Sequence, residues 1–324
     1  MTAPFPMAVI GAGHHAIELR RHAAPLPDLQ IAACAPAPDG HDACAAADLA
    51  RHFGAAYAPD WRRLMEDPAL PCVLVLSGAP DRAQVVAAAV NAGKVAMCPF
   101  PPATDANSLA ALADAQASGG GIPLSVGEIA GTAPGATALE AVREGQLGTL
   151  HSIWAAARFA RHNGAPQSVL DQYGWQVLDF VLSAVPGGAE RVHASLACLF
   201  EEGNQPDTAV VLLRFAHDVV VTIELSRCLP FSVLAPEVEI EVIGAKEVVR
   251  IEPHASAVRV YGPSGASTRS WTDGPLVRTL PQVAAAVRSG KRDDCLERAE
   301  RAVAIMGAIK RFPASPSRRR APVG

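Results

Sequence analysis

The sequence predicts an α/β first part, a doubly wound parallel sheet, followed by an α+β second part built on an open-faced, mostly antiparallel sheet. Three observations carry this. Up to about residue 126, short apolar runs alternate with Ala-rich amphipathic stretches, the pattern of parallel strands covered on both faces by helices. Beyond it, longer segments alternate apolar and polar residues, as in Glu237-Val-Glu-Ile-Glu-Val242, the pattern of strands with one face packed and one wet. The length of 324 residues suits two domains of ordinary size.

The expected strands of the first part are Pro6–Ile10, Leu29–Cys34, Cys72–Ser77, Lys94–Cys98 and Ile122–Val126. The expected helices are His14–Ala23, Asp42–Phe53, Asp60–Met65, Arg82–Ala92 and Asp105–Ala117. Asn91-Ala-Gly93 and Gly119-Gly-Gly121 read as helix stops directly before strands. A helix over Pro134–Glu144 leads into the second part. Its strands are expected at Leu150–Ala160, Val192–Phe200, Asp207–Phe215, Val219–Cys228, Glu237–Ile243 and Glu247–Ile251, with a tight hairpin at His217-Asp218. One helix, Ser168–Ala184, should cover the apolar face, and helices near Pro281–Ser289 and Arg292–Lys310 close the chain. The domains read as 1–126, 127–311 with its last helix able to pack back on the first, and a disordered basic tail at 312–324.

Composition excludes several classes of function. A net charge of −4 gives no electrostatic reason to expect nucleic acid or an anionic membrane as partner. The tail with Arg318-Arg319-Arg320 is the one basic exception. No apolar run reaches membrane-spanning length without Gly, Pro or charge, and no signal peptide is expected, since Met1 to Pro6 lead straight into a strand pattern. Seven cysteines form neither a CxxC pair nor a Cys/His cluster of zinc spacing, so a cytoplasmic protein with reduced thiols and no metal is expected. No Gly-x-Ser-x-Gly elbow is present, which disfavours a serine hydrolase.

The strongest local signal is Met7-Ala-Val-Ile-Gly11-Ala-Gly13-His-His-Ala16, a strand, a Gly-x-Gly-x-x-Ala turn and a helix start. Gly11 permits the turn, Gly13 lets backbone approach a pyrophosphate, and Ala16 allows close helix packing. The free N–H groups of the helix, beside His14 and His15, suit a phosphate. The acidic residue expected after the second strand, to hold the adenosine ribose, is absent: Ala35 stands there, followed by Pro36-Ala37-Pro38, and Asp39 comes late. A turn kept for packing alone is the other reading of the motif.

With these residues in view, the chain resembles the glucose-fructose oxidoreductase / inositol dehydrogenase / MocA (Gfo/Idh/MocA) family over nearly its whole length. The resemblance rests on the glycine turn, Tyr57-Ala-Pro-Asp-Trp-Arg-Arg-Leu-Met65, Val73-Leu-Val-Leu-Ser77…Pro80, Ala92-Gly93-Lys94-Val95, Gly145-Gln-Leu-Gly148, Ile240-Glu-Val-Ile-Gly244-Ala-Lys246 and Val287-Arg-Ser-Gly290. It implies a Rossmann domain, NAD or NADP as cofactor, a small-molecule substrate, and self-association through the second sheet. Gly11, Gly13, His14, His15, Ser77, Pro80, Pro99 and Phe100 would then surround the cofactor.

The family's catalytic positions differ here. Its Glu-Lys-Pro falls on Pro99-Phe100-Pro101, and its Asp-x-Gly-x-His-x-x-Asp on Gln172-Tyr-Gly174-Trp-Gln176-Val-Leu-Asp179. A further family histidine falls on Gln84, and the Arg-rich turn after the fifth strand reads Glu128-Ile-Ala-Gly131. Glutamine can hydrogen-bond a substrate but cannot take its proton near neutral pH. Candidates to replace the lost groups are Tyr173, Asp171, His162, Arg161 and Arg158. Two readings stand: an NAD(P)-dependent oxidoreductase with non-standard proton chemistry, for instance on an imine or enone, or a degenerate homologue that binds, regulates or pairs with an active relative.

Overall fold

The computed structural model describes residues 3–22, 28–161, 168–200, 205–230, 236–253, 257–263, 265–270, 275–291 and 294–315. The chain divides into two compact units, Met1–Gly131 with Asp273–Glu300, and Thr132–Thr272 with Arg301–Gly324.

The first unit opens with β1 (Phe5–Ile10), α1 (His14–His22), β2 (Leu29–Ala35), α2 (Ala43–Phe53), β3 (Ala56–Tyr57) and α3 (Arg62–Glu66). It continues with β4 (Cys72–Val75), α4 (Ala79–Asn91), β5 (Val95–Pro99), α5 (Ala106–Gly119), β6 (Ile122–Val126) and the short α6 (Glu128–Gly131). The six strands run parallel in the order β3-β2-β1-β4-β5-β6. That order reverses direction between β1 and β4, and open α/β sheets bind ligands where it does so. The apolar runs fill the space between sheet and helices: Met7, Val9, Leu74, Leu76, Met97 and Leu124 pack with Leu19 of α1.

The same core takes Leu280, Val283 and Ala284 from a helix far along the chain. Segment 273–300 therefore belongs to the first unit. The sequence reading groups it with 127–311 while allowing the last helix to pack back on the first domain.

The second unit begins with α7 (Ala133–Arg143), β7 (Leu150–Ala160), α8 (Trp175–Ala184), β8 (Arg191–Ala197), β9 (Thr208–Arg214) and β10 (Val220–Leu229). Next come β11 (Glu237–Gly244), β12 (Val248–Glu252), β13 (Ala257–Gly262) and β14 (Gly265–Ser270). Then α9 (Pro275–Ser289) lies in the first unit, α10 (Cys295–Ile309) follows, and β15 (Ala314–Ser315) ends the described chain. The nine strands are ordered β14-β13-β12-β11-β7-β10-β9-β8-β15, mostly antiparallel, with β7–β10 and β8–β15 parallel. Inward positions along β10 are Val221, Ile223, Leu225 and Arg227, all buried. The arginine is the one charged residue in that row.

Several elements depart from the sequence reading. Strands β13 and β14 were not expected, because Ser267, Thr268 and Ser270 give β14 no apolar alternation, and all six of its residues are exposed. Helix α9 starts six residues before Pro281, which sits inside it. A proline normally marks a first turn, so the start was placed too late. The tail is paired further than expected: Ala314 and Ser315 join β8, while Arg318 to Arg320 lie outside the described residues. His217 and Asp218 form the tight turn, both with positive φ.

Candidate active site

In the first unit the site grows from the ends of β1, β4 and β5. Gly11 follows β1 with φ +85°, and its N–H donates to Ala35 O at 2.9 Å. A Cβ on Gly11 would come within 2.6 Å of Ser77 N, so only glycine lets the two strand ends approach this closely. Gly13 is less confined, with Leu76 O 3.3 Å from where its Cβ would stand. Helix α1 starts directly after, at His14, with no acidic residue in its first turn to compete for its N–H groups. Ser77 is buried and its hydroxyl has no hydrogen-bond partner among the described residues. A buried orphan hydroxyl at a strand-order reversal is what a polar ligand would satisfy. These features fit a dinucleotide. His14 and His15 open the helix and Pro80 lies in α4, but their side chains are outside the described residues.

β5 ends at Pro99, and the chain passes on through Phe100 and Pro101, with a cis bond before Pro101. Arg82 of α4 donates to Pro99 O at 3.2 Å and Pro101 O at 2.8 Å. Burial pushes its guanidinium pKa down from the usual value, the cost of removing a charge from water. The Phe100 ring is 1 % exposed, with the Arg298 guanidinium 5.9 Å from its centroid. Arg298 also donates to Ser125 O at 3.0 Å and pairs with Asp294. Two arginines thus hold this segment, one through its carbonyls and one over its ring. Cys98 is buried beside Ser125, and burial raises its thiol pKa, which disfavours it as a nucleophile.

In the second unit the expected helix opens as one π-helical turn, Leu170–Gly174, before α8. Such turns recur at functional sites. Gln172 accepts a hydrogen bond from Nε of Arg227 at 3.1 Å. Arg227 is 1 % exposed and an arginine has only donors, so the Gln172 atom facing it must be the amide oxygen. The Gln172 NH2 is then left as a donor.

Gln176 and Asp179 are buried one and two turns further on. Tyr173 is buried, its ring 5.1 Å from that of Phe159. Asp171 points elsewhere and pairs with Lys310 Nζ at 2.5 Å. Arg161 lies over the Phe200 ring at 5.0 Å, and Arg158 faces Glu237 at 4.0 Å. His162 is outside the described residues.

Four side chains were missed in the sequence. Arg227 could have been found, since alternation along β10 assigns it an inward position. Asp42 was read as the start of α2, with no hint that its carboxylate reaches the glycine turn. Arg82 and Arg298 carry no local signal, because their partners are backbone carbonyls distant in sequence.

The chain is similar to known proteins in both of its units. Residues 5–128 match the oxidoreductase family with an NAD-binding Rossmann fold, and residues 136–250 match the GFO/IDH/MocA C-terminal domain. The chain belongs to the Gfo/Idh/MocA oxidoreductase family. An inositol 2-dehydrogenase of Acidothermus cellulolyticus is 28% identical over 216 residues, which span 62% of this chain and 60% of that relative. Among solved structures, GenD2 from gentamicin A biosynthesis, in complex with NAD, superposes with TM-score 0.79 at 21% identity, covering 96% of this chain and 94% of its own. An oxidoreductase from Agrobacterium radiobacter, in complex with NAD+, L-tartaric acid and magnesium, gives 0.81 at 15% identity, covering 95% and 96%. The myo-inositol 2-dehydrogenase of Lactobacillus plantarum gives 0.77 at 16%, also covering 95% and 96%. At these identities the structures bear on the fold. The reading of the chain as a degenerate, non-catalytic homologue gains no support from any of them.

Proposed function

We propose that this family member is an NAD(P)-dependent oxidoreductase that reduces an electrophilic carbon of a small molecule, such as an iminium or conjugated enone, without a lysine–histidine proton relay. The observation that carries the reading is Gln172, whose amide oxygen is held by the buried Arg227, leaving its NH2 to donate. Alcohol oxidation requires a group that takes the hydroxyl proton, a contribution worth about two to four decades of rate. At the positions resembling the family's Lys, Asp and His stand Phe100, Gln172 and Gln176, none of which takes a proton near neutral pH.

When bound, the nicotinamide supplies the hydride. Gly11, Gly13 and the start of α1 would hold the dinucleotide's pyrophosphate, and the Ser77 hydroxyl would hydrogen-bond to the bound nucleotide. Reducing an iminium needs no further proton. Reducing an enone adds hydride at the β-carbon and a solvent proton at the α-carbon, while an amide donor such as Gln172 steadies the developing enolate oxygen. Tyr173 and His162 remain candidates for a proton source, whereas Asp171 is held by Lys310.

The open face of the second sheet supports self-association. Val210, Leu212 and Val220 are 46%, 47% and 37% exposed on adjacent strands there, an apolar stripe that a second copy would cover. Sedimentation of wild type against Leu212→Glu would read this out.

The reaction is tested by following NADH absorbance with cyclic imines, conjugated enones and polyols in turn. Consumption with an imine or enone and none with polyols and NAD supports the reading. Brisk polyol oxidation by the wild type overturns it.

A further inference from the structure

We infer that the Asp42 carboxylate receives the adenosine ribose hydroxyls and makes this protein select NAD(H) over NADP(H). The inference rests on the dinucleotide reading proposed above and adds the nucleotide it takes.

Dinucleotide folds of this strand order hold the ribose with an acidic residue at the end of the second strand. That place is Ala35, fully buried and without a polar side chain. The acid comes instead from the start of the next helix. Asp42 is the residue before α2, a position where an aspartate ordinarily caps its own helix. Its side chain makes no such bond. It turns back to accept from Ala12 N at 2.5 Å and from Ala37 N at 2.8 Å. One carboxylate thus joins the glycine turn to the loop after β2, and it is only 8% exposed. An ionised carboxylate has about four acceptor sites. The two backbone N–H groups use two, and the remaining pair suits two vicinal ribose hydroxyls.

The surroundings oppose a 2′-phosphate. From Ala35 to Ala50 the chain has no lysine or arginine, while Asp39, Asp42 and Asp48 are acidic. His41 is hydrogen-bonded to Asp39 at 2.5 Å, so its charge is already matched. Its pKa is raised first by Asp39, with smaller contributions from Asp42 and Asp81, which puts several carboxylates around this loop. An independent mark of a ligand lies beside Gly11: the buried Ser77 hydroxyl, which has no hydrogen-bond partner among the described residues.

The test is a fluorescence titration with NADH and NADPH on wild type, Asp42→Asn and Asp42→Ala, each checked by thermal unfolding. The wild type should bind NADH at least about tenfold more tightly than NADPH. Both variants should weaken NADH about ten- to a hundredfold, the worth of a hydrogen bond to a charged group, while NADPH holds or improves. Equal loss for both nucleotides would mean that Asp42 only braces the turn, and would overturn the inference. A wild type that binds NADPH as well as NADH overturns it whether or not the variants fold. Binding of neither nucleotide overturns it together with the function proposed above.

Discussion

Gln172 Oε1 accepts from Nε of Arg227 at 3.1 Å, and Arg227 is almost fully buried at the end of an otherwise apolar inward row. A buried guanidinium is tolerated only when its N–H groups find acceptors. Gln172→Leu removes one and should cost about 1–3 kcal/mol in urea unfolding. Gln172→Glu keeps an oxygen for Arg227 and should be close to wild type in stability. If leucine were as stable as glutamate there, the contact would not hold Gln172 in place.

Gly11 and Ser77 N leave no room for a methyl group between them. Gly11→Ala also imposes an unfavourable positive φ, a strain of order 1–3 kcal/mol. The variant should unfold at lower denaturant concentration and lose NADH affinity at least about tenfold, read by calorimetry. Unchanged binding would remove the glycine turn from the nucleotide site.

Restoring the family's groups should not restore its usual reaction. Phe100 is 1% exposed, and a lysine there would be driven toward its neutral form by burial. The double variant Phe100→Lys with Gln176→His is expected to oxidise polyols only at trace rates with NAD. Rapid oxidation of inositol or glucose would contradict this.

The Asp39–His41 pair predicts a pH signature. His41 is raised above 6.5 by the Asp39 hydrogen bond, and Asp39 is lowered below 3.8 by the His41 hydrogen bond. The histidine contribution is fully present below about 6.5, its unfolded value, and is lost as pH rises through the folded one. The aspartate contribution is present above 3.8 and is lost as pH falls through the folded value. A proton NMR titration should place His41 above an unperturbed histidine, and Asp39→Asn should bring it back. An unshifted His41 in the wild type would remove the pair.

Much of this arrangement was legible in the residues because it is local. The glycine turn, the helix stops at Gly93 and Gly120, and the alternation of β9 to β11 each depend on a few consecutive side chains. The placement of α9 in the first unit was not, because Leu280 and Val283 declare an apolar face but not the sheet that face meets. The role of Asp42 was hidden for the same reason: its partner Ala12 lies thirty residues away and contributes a backbone N–H, which every residue but proline has. Arg227 was legible and overlooked. Alternation along β10 required something polar on the facing helix, and Gln172 provides it.

Calorimetric titration of the wild type with NADH bears directly on the nucleotide site. One saturable site per chain at submillimolar nucleotide is expected, accompanied by a rise in unfolding temperature. No heat and no stabilisation at millimolar NADH would contradict it, leaving the glycine turn with a packing role alone.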